Sequence, residues 1–142
     1  MPSAGKVRWG GAGSLWFRTT FISSVVLHLP GGGTGGEDPR RAALRELEEG
    51  TGILAGEVRA LGGFDPLPAT TAARTYLFLA ILLRPGTARR DDTEAAMTVQ
   101  WRTLDAALAA VQHGEITEAD SVTALLLAER VLRATPPSSP RT

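Results

Sequence analysis

The stretch Gly31 to Ile53, GGGTGGEDPRRAALRELEEGTGI, places a glycine-rich loop directly before a short segment that is rich in glutamate. Asp38 is a good N-cap and Pro39 suits the first helical position, so the sequence predicts a helix from there to about Thr51. Gly52 follows as the end of the helix, because glycine adopts the left-handed backbone that many helix C-termini require. The segment is therefore predicted to be a loop followed by a helix of about three turns.

The glutamates of this helix have a definable geometry. At about 100° per residue, Glu46 and Glu49 lie about 60° apart on one face, while Glu48 points almost the opposite way, toward solvent. Two carboxylates that face one point repel each other unless a cation lies between them, and Mg2+ binds a few carboxylates together with waters and phosphate oxygens. The pattern predicts a divalent-metal site. Plain surface charge is the alternative, and the adjacent glycine loop favours the metal site.

These residues resemble the Nudix hydrolase signature, G-x5-E-x7-R-E-U-x-E-E-x-G-U, in which U is a bulky aliphatic residue. The chain departs from it at Gly50, where the family has a second glutamate that is typically a direct metal ligand. Gly31 fits the spacing of the first glycine, whereas Gly32 better fits the usual Pro-Gly-Gly text, so two alignments of the loop stay open. The matching residues are Gly31, Glu37, Arg45, Glu46, Leu47, Glu49, Gly52 and Ile53.

The resemblance implies a set of metal ligands. Glu46 and Glu49 are expected to bind Mg2+ directly, with Mn2+ as a substitute, and Glu37 is expected to be a further or water-mediated ligand. A backbone carbonyl of Gly31 or its neighbour completes the protein's donors. Hard oxygen donors of this kind are those that Mg2+ prefers.

The resemblance also implies catalytic residues. Besides Glu46, these are Arg45, which orients a carboxylate through a charge-assisted pair, and a proton acceptor in an acidic loop before a late strand. Glu94, in the run Asp91 to Glu94, matches the position of that acceptor best. A solvated acidic loop with no catalytic role is an equally good interpretation of this run.

Softer matches favour one branch of the family, the ADP-ribose pyrophosphatases. They imply hydrolysis of a nucleoside diphosphate linked to another moiety, with ADP-ribose cleaved to AMP and ribose 5-phosphate. Three alternatives stay open: a nucleotide-sugar pyrophosphatase of other specificity, a catalytically weakened or inactive nucleotide-binding protein because of Gly50, and a decayed chain with neither role. The matches are Ala60 to Phe64, Tyr76 to Ala80, Leu104 to Ala107 and Gly114 to Ile116.

Length and composition are typical of a compact enzyme domain. At 142 residues we expect one domain over residues 1–134, without an assignment for residues 1–20, and a disordered tail over 135–142. Fifteen basic and fifteen acidic residues balance, which argues against nucleic acid or an anionic membrane as a partner and favours a small nucleotide substrate. The absence of cysteine excludes disulfides, a thiolate nucleophile and a cysteine zinc site, and a cytoplasmic location is expected.

Dimerisation is the remaining question about partners. Members of the ADP-ribose branch usually carry an N-terminal region that swaps between subunits, and only 30 residues precede Gly31 here. We therefore expect that region to be absent or truncated, which leaves a homodimer open but not by that route.

The rest of the chain predicts mixed strands with helices on both sides, an α/β (α+β) fold that agrees with the Nudix α/β/α sandwich. The continuous apolar run Thr75 to Leu83 is expected to be a central strand covered on both faces. His28 and His113 are interpreted as structural or surface residues, and Trp16 and Trp101 as core residues, with adenine stacking as the alternative. The other predicted strands are Phe21 to Leu27, Glu57 to Phe64 and Met97 to Thr103. The other predicted helices are Leu104 to Gln112, which begins near Asp105, and Ile116 to Ala134. The apolar face of the last helix consists of Val122, Leu125, Leu126, Ala128 and Leu132.

Overall fold

The computed structural model describes residues 4–9, 14–21, 24–86 and 98–134. The predicted proton acceptor Glu94 and the tail 135–142 lie outside these ranges. The strands are β1 Ala4–Trp9, β2 Ser14–Phe21, β3 Ser24–His28, β4 Gly31–Gly33, β5 Ile53–Phe64, β6 Thr75–Pro85 and β7 Thr98–Arg102, and the helices are α1 Pro39–Thr51, α2 Leu104–Gln112 and α3 Ala119–Ala134.

The strands form two sheets. A four-stranded sheet has the order β4-β1-β6-β5, and a three-stranded sheet has the order β3-β2-β7. In the larger sheet β1 and β6 are parallel, while β4 and β5 pair antiparallel with their neighbours. The predicted mixed sheet is thus confirmed, and the second, antiparallel sheet is an addition that the sequence pattern did not indicate.

The larger sheet lies between α1 on one face and α2 with α3 on the other. The alternation of side chains along β6 shows this directly, because successive residues of a strand point to opposite faces. Leu77 is buried among residues of α2 and α3, whereas Phe78 and Ala80 pack with Ala43 and Leu47 of α1. The predicted α/β/α sandwich and the central position of β6 are both confirmed. Strand β6 is no longer covered on both faces at Leu82, whose side chain is 69% exposed.

The first helix forms as predicted. The Asp38 side chain accepts a hydrogen bond from the backbone N–H of Arg41 at 3.4 Å, and Pro39 occupies the first turn. At the other end Gly52 has a φ of 71°, and its N–H donates to the carbonyl of Glu48. Glycine adopts this left-handed conformation without the steric penalty that a Cβ atom brings.

Several predicted boundaries were wrong. The apolar run Phe21 to Leu27 is divided between two strands, because β2 ends at Phe21 and β3 returns antiparallel with Ser24 opposite Phe21. The strand predicted from Glu57 begins instead at Ile53, directly after Gly52 reverses the chain. The last helix begins at Ala119 instead of Ile116.

Three details of the helices also differ from the prediction. The N-cap of α2 is Thr103, whose hydroxyl accepts from Ala106 N–H at 3.1 Å, and Asp105 lies in the first turn. On α3, Leu126 is 52% exposed instead of buried. On α1, Glu48 is partly covered although it points away from Glu46. None of the helices in the described ranges has the length and apolar character needed to cross a membrane.

Candidate active site

The glycine strand, β4, brings the backbone close to α1. It pairs antiparallel with β1, with Gly32 opposite Gly5. The chain then turns through Gly35 and Gly36, whose φ values of 59° and 84° favour glycine. The Glu37 N–H donates to the carbonyl of Thr34 at 2.9 Å, which closes the turn. The helix is thereby folded back against the strand that precedes it.

Arg45 lies at the centre of the charged residues. Its Nε donates to Glu37 Oε2 at 3.0 Å. Its Nη1 donates to Glu46 Oε1 at 3.1 Å and to Glu49 Oε2 at 3.2 Å. The three carboxylates that the sequence predicted as metal ligands are therefore held around one guanidinium group. We call Arg45, Glu37, Glu46 and Glu49 the Arg45 cluster.

The glycine strand contacts the Arg45 cluster through its backbone. Arg45 Nη2 donates to the carbonyl of Gly33 at 3.2 Å. At Gly32 a Cβ atom would overlap the carboxylate of Glu46. Only glycine leaves room for that carboxylate against the strand. The structure thus places Gly32 and Gly33 at the cluster, and both alignments of the loop stay open.

The cluster is open to solvent on one side. The side chain of Glu46 is 17% exposed and that of Glu49 is 48% exposed. The hydrogen bond that Arg45 donates to Glu37 raises the pKa of Arg45, burial partly opposes this effect, and the charges of Glu46 and Glu49 add to it. Arg45 therefore remains a cation at every physiological pH. Exposed ion pairs contribute little to stability, about 0–1 kcal/mol each, so this arrangement can exchange partners at low cost.

Comparison with protein families identifies the family of this chain. The model of the NUDIX domain matches residues 3–130. The chain belongs to the Nudix family. The resemblance inferred from the sequence and the expectation of a hydrolase of this family are confirmed at that level. Nudix enzymes act on small nucleotide substrates and generally use divalent metal ions.

Solved structures share the Nudix fold of this chain. The structure of a protein described as an ADP compounds hydrolase has a TM-score of 0.83 at 21% sequence identity, and the match covers 92% of this chain and 72% of that one. A structure of MutT, from an analysis of that protein in the psychrophilic fish pathogen Aliivibrio salmonicida and the mesophile Vibrio cholerae, has a TM-score of 0.68 at 16% identity and covers 91% of this chain and 98% of that one. Comparison with curated protein sequences gave no match.

The donors of this Nudix site fit a hard divalent cation in part. Glu46 and Glu49 supply carboxylate oxygens next to the glycine strand, and Mg2+ usually takes only one or two carboxylates and completes its shell with waters and phosphates. Within the described ranges, however, no three acidic, histidine or cysteine side chains converge as a metal-binding group. The carboxylates of the cluster surround Arg45 instead of a common point.

Gly50 stands where the Nudix signature has the second glutamate of its Glu-Glu pair. It is a buried residue of α1, one turn beyond Glu46 on the same side of the helix. A glutamate there would add a carboxylate next to that of Glu46, whereas glycine adds no oxygen. The departure that the sequence shows is thus located beside the least exposed carboxylate of the cluster.

Trp101 was expected in the core, and this expectation was wrong. Its side chain is 51% exposed. It borders an open groove of about 340 Å³ that also touches the end of α1 at Thr51 and Gly52 and the end of β6 at Arg84. The groove therefore reaches the C-terminal end of α1, the helix that carries Glu46 and Glu49. An exposed aromatic side chain at this groove keeps the adenine-stacking alternative open.

Proposed function

We propose that this chain hydrolyses a nucleoside diphosphate linked to another moiety, with ADP-ribose, cleaved to AMP and ribose 5-phosphate, as the leading substrate. The observation that carries the proposal is the Arg45 cluster beside the glycine strand, which gathers Glu37, Glu46 and Glu49 around one guanidinium group. The sequence matches to the ADP-ribose branch support the choice of substrate. The shared fold with an ADP compounds hydrolase is compatible with it.

We assign the metal site to Glu46 and Glu49, with Glu37 as a further or water-mediated ligand and Mg2+ as the ion, replaceable by Mn2+. A backbone carbonyl of the glycine strand, at Gly31 or its neighbours, is the remaining donor. A divalent cation bound here would neutralise charge on the diphosphate oxygens and lower the pKa of a bound water. Arg45 keeps the three carboxylates together and orients them, since its guanidinium donates to each.

The reaction adds one water across the diphosphate. The water oxygen attacks one phosphorus, the bridging P–O bond breaks, and the two products are phosphate monoesters. A carboxylate accepts the proton of the attacking water, and we assign this role to Glu94 by its position in the sequence. Glu46 lies against Gly32 and is the least exposed carboxylate of the cluster, so it is positioned for a ligand role.

Gly50 supports a second candidate, a Nudix-fold protein that binds a nucleotide without cleaving it. The loss of one carboxylate weakens cation binding, although it also relieves repulsion among the remaining ones. A nucleotide-sugar pyrophosphatase of other specificity is a variant of the first candidate, because the same cluster would serve any such diphosphate. The assay below distinguishes these candidates by substrate and by metal requirement.

The experiment is an assay of the purified chain against ADP-ribose, nucleotide sugars and nucleoside triphosphates over Mg2+ and Mn2+ series. Glu46→Gln should lower kcat/KM for the best substrate by about 100-fold or more, since even indirect partners of a metal site cost 10–100-fold. Glu48→Gln, two residues away and outside the Arg45 cluster, should retain full activity. Equal activity of Glu46→Gln and wild type would remove the cluster from the mechanism.

Gly50 has its own pair of variants. Gly50→Glu should lower the metal concentration needed for half-maximal activity, because it restores a carboxylate beside Glu46. Gly50→Ala controls for helix propensity, which alone changes stability by up to ~1 kcal/mol, and should leave the metal requirement unchanged. Turnover by Gly50→Glu with none by wild type at any metal level would overturn the hydrolase proposal and leave the binding protein.

Trp101 is the proposed stacking surface for the base. Its exposed ring borders the groove at the end of α1, and stacking on an aromatic side chain contributes about 1–3 kcal/mol per base. Trp101→Ala should therefore raise KM for ADP-ribose by about 5- to 100-fold, while Trp101→Phe retains most of the affinity. An unchanged KM in Trp101→Ala would remove this residue from base binding.

The remaining features of the proposal are a single domain over residues 1–134, a cytoplasmic location and small-molecule partners only. These stay predictions from the sequence. Gel filtration with light scattering measures whether the active species is a monomer or a homodimer.

A further inference from the structure

A buried hydroxyl group links α3 to the segment before the glycine strand. Ser121 is 0% exposed, and so is Leu29. The backbone N–H of Leu29 donates to Ser121 Oγ at 2.9 Å across 92 residues of sequence. Ser121 Oγ in turn donates to Glu118 Oε1 at 3.0 Å. The hydroxyl is thus fully used, as a buried polar group must be if it is not to destabilise the fold.

The carbonyl of Leu29 is held as well. His28 Nδ1 donates to it at 2.8 Å, and the same nitrogen lies 3.7 Å from Glu118 Oε2. Both backbone polar groups of Leu29 therefore connect to one network. We call His28, Leu29, Glu118 and Ser121 the Leu29 clamp. Leu29 itself lies between β3 and β4, directly after His28 at the end of β3.

The Leu29 clamp lies next to the glycine strand of the Arg45 cluster. Only Pro30, which is fully buried, separates Leu29 from the first residue of β4. The proline ring restricts its own φ to about −65°, which removes one of the few backbone rotations that could separate a displacement at Leu29 from the glycine strand. In that strand the carboxylate of Glu46 leaves no room for a side chain at Gly32, and the carbonyl of Gly33 accepts a hydrogen bond from Arg45. Even a small shift of the strand would change both contacts.

We infer that Ser121 and Glu118 are positioning residues of the site, which act through Leu29 to hold the glycine strand against Glu46 and Arg45. The catalytic part of this inference rests on the proposed function, whereas its structural part does not. Removal of the Ser121 hydroxyl leaves the buried Leu29 N–H without its acceptor, and the segment must move to find another one. Partners that orient metal ligands indirectly typically change metal affinity or activity by 10–100-fold.

The test compares Ser121→Ala with Thr123→Ala, in each of which one hydroxyl is lost from α3. The Thr123 hydroxyl is exposed and donates to the carbonyl of Ala119 at 2.8 Å, within the helix, so this variant is the matched control. Hydrogen exchange by NMR measures the backbone amides of Gly31–Gly33 and of the β5 and β6 ladder. Titration with Mn2+ followed by electron paramagnetic resonance measures metal affinity without substrate.

The expected result is selective. Ser121→Ala should speed exchange in Gly31–Gly33 by about 10-fold relative to the β5 and β6 ladder and weaken Mn2+ binding by about 10-fold, with kcat lowered and KM for ADP-ribose changed less than twofold. Thr123→Ala should change none of these. Glu118→Gln, which keeps an acceptor for Ser121, should behave more like wild type than Glu118→Ala. If Ser121→Ala does not fold, the hydrogen exchange and Mn2+ affinity of this second pair test the positioning role.

Two outcomes would overturn the inference. One is exchange in Ser121→Ala that rises equally in all strands, since this indicates a general loss of stability. The other is exchange and Mn2+ affinity that match those of Thr123→Ala. If wild type shows no turnover but Ser121→Ala still loosens the glycine strand selectively, the proposed function fails and the positioning role stands.

Discussion

The Arg45 cluster and the Leu29 clamp flank the same glycine strand, and they hold it in opposite ways. The cluster is built from charged side chains of α1 and of the loop before it that are partly open to solvent, with one arginine shared among three carboxylates. The clamp is built from a fully buried hydroxyl and the backbone of a fully buried leucine, with a half-buried glutamate behind them. One support is adaptable and the other is fixed.

The difference follows from the cost of desolvation. Charges that keep contact with water lose little hydration energy, so Arg45 can share its carboxylates and a cation or phosphate can compete for them. A buried polar group has no water to return to, and breaking its hydrogen bond leaves the full penalty, about 1–3 kcal/mol. A site that must bind charged molecules thus has its exchangeable groups on the open side and its rigid support in the core.

The largest expected effect concerns the packing that supports the clamp. Leu125 is 0% exposed in α3 and packs with Leu29 and Leu77 in the same core. Leu125→Ala should lower the free energy of unfolding by about 2–5 kcal/mol, measured by urea denaturation. The adjacent Leu126 is half exposed, so Leu126→Ala should change it by no more than about 0.5 kcal/mol. Equal effects of the two variants would contradict the position of α3.

Arg45→Lys tests the adaptable side. Lysine keeps the charge but lacks the planar fork that reaches Glu37, Glu46 and Gly33 at once. We expect kcat/KM to fall by about 10–100-fold, with the free energy of unfolding changed by less than about 1 kcal/mol because Arg45 is open to solvent and lysine keeps its charge. If kcat/KM and the free energy of unfolding of Arg45→Lys both fell, the result would instead indicate that the cluster mainly stabilises the fold.

Variants at the N-caps of α1 and α2 compare the helix that carries the cluster with a helix on the opposite face of the larger sheet. Asp38 caps α1, which carries the cluster, and Thr103 caps α2, which does not. Either residue changed to alanine should lower the free energy of unfolding by roughly 0.5–2 kcal/mol, measured by thermal and urea denaturation. Only Asp38→Ala should also raise the Mn2+ dissociation constant, because only α1 positions the carboxylates. A similar rise in Thr103→Ala would show that the cluster responds to stability in general.

The smallest effect is expected for an ion pair outside both regions. Arg59 Nε lies 2.6 Å from Glu57 Oε1 on β5, a shorter distance than any pair in the cluster. The hydrogen bond with Glu57 raises the pKa of Arg59, yet the side chain of Arg59 is 63% exposed. Arg59→Ala should leave the thermal unfolding midpoint and kcat/KM unchanged. A loss of activity would show that β5 contributes to substrate binding.

Local features were predictable because they depend on neighbouring residues. Asp38, Pro39 and Gly52 delimit α1 through backbone chemistry that operates within a few residues, and the helix has the predicted bounds. The spacing of Glu46 and Glu49 likewise follows from helix geometry alone. The division of the run Phe21 to Leu27 into two strands could not be seen, since apolar periodicity does not show where a hairpin turns.

The sequence by itself determined the Nudix family, the three-layer order of elements and the bounds of the helix that carries Glu46 and Glu49, because these are encoded in short-range pattern and composition. Only the tertiary structure decided which atoms meet. In it Gly32 lies against the carboxylate of Glu46, and three carboxylates contact Arg45. Leu29 is hydrogen-bonded to Ser121, a residue 92 positions away. Such contacts depend on how strands and helices pack across the sheet, and packing joins residues whose separation in the chain carries no signal of their proximity.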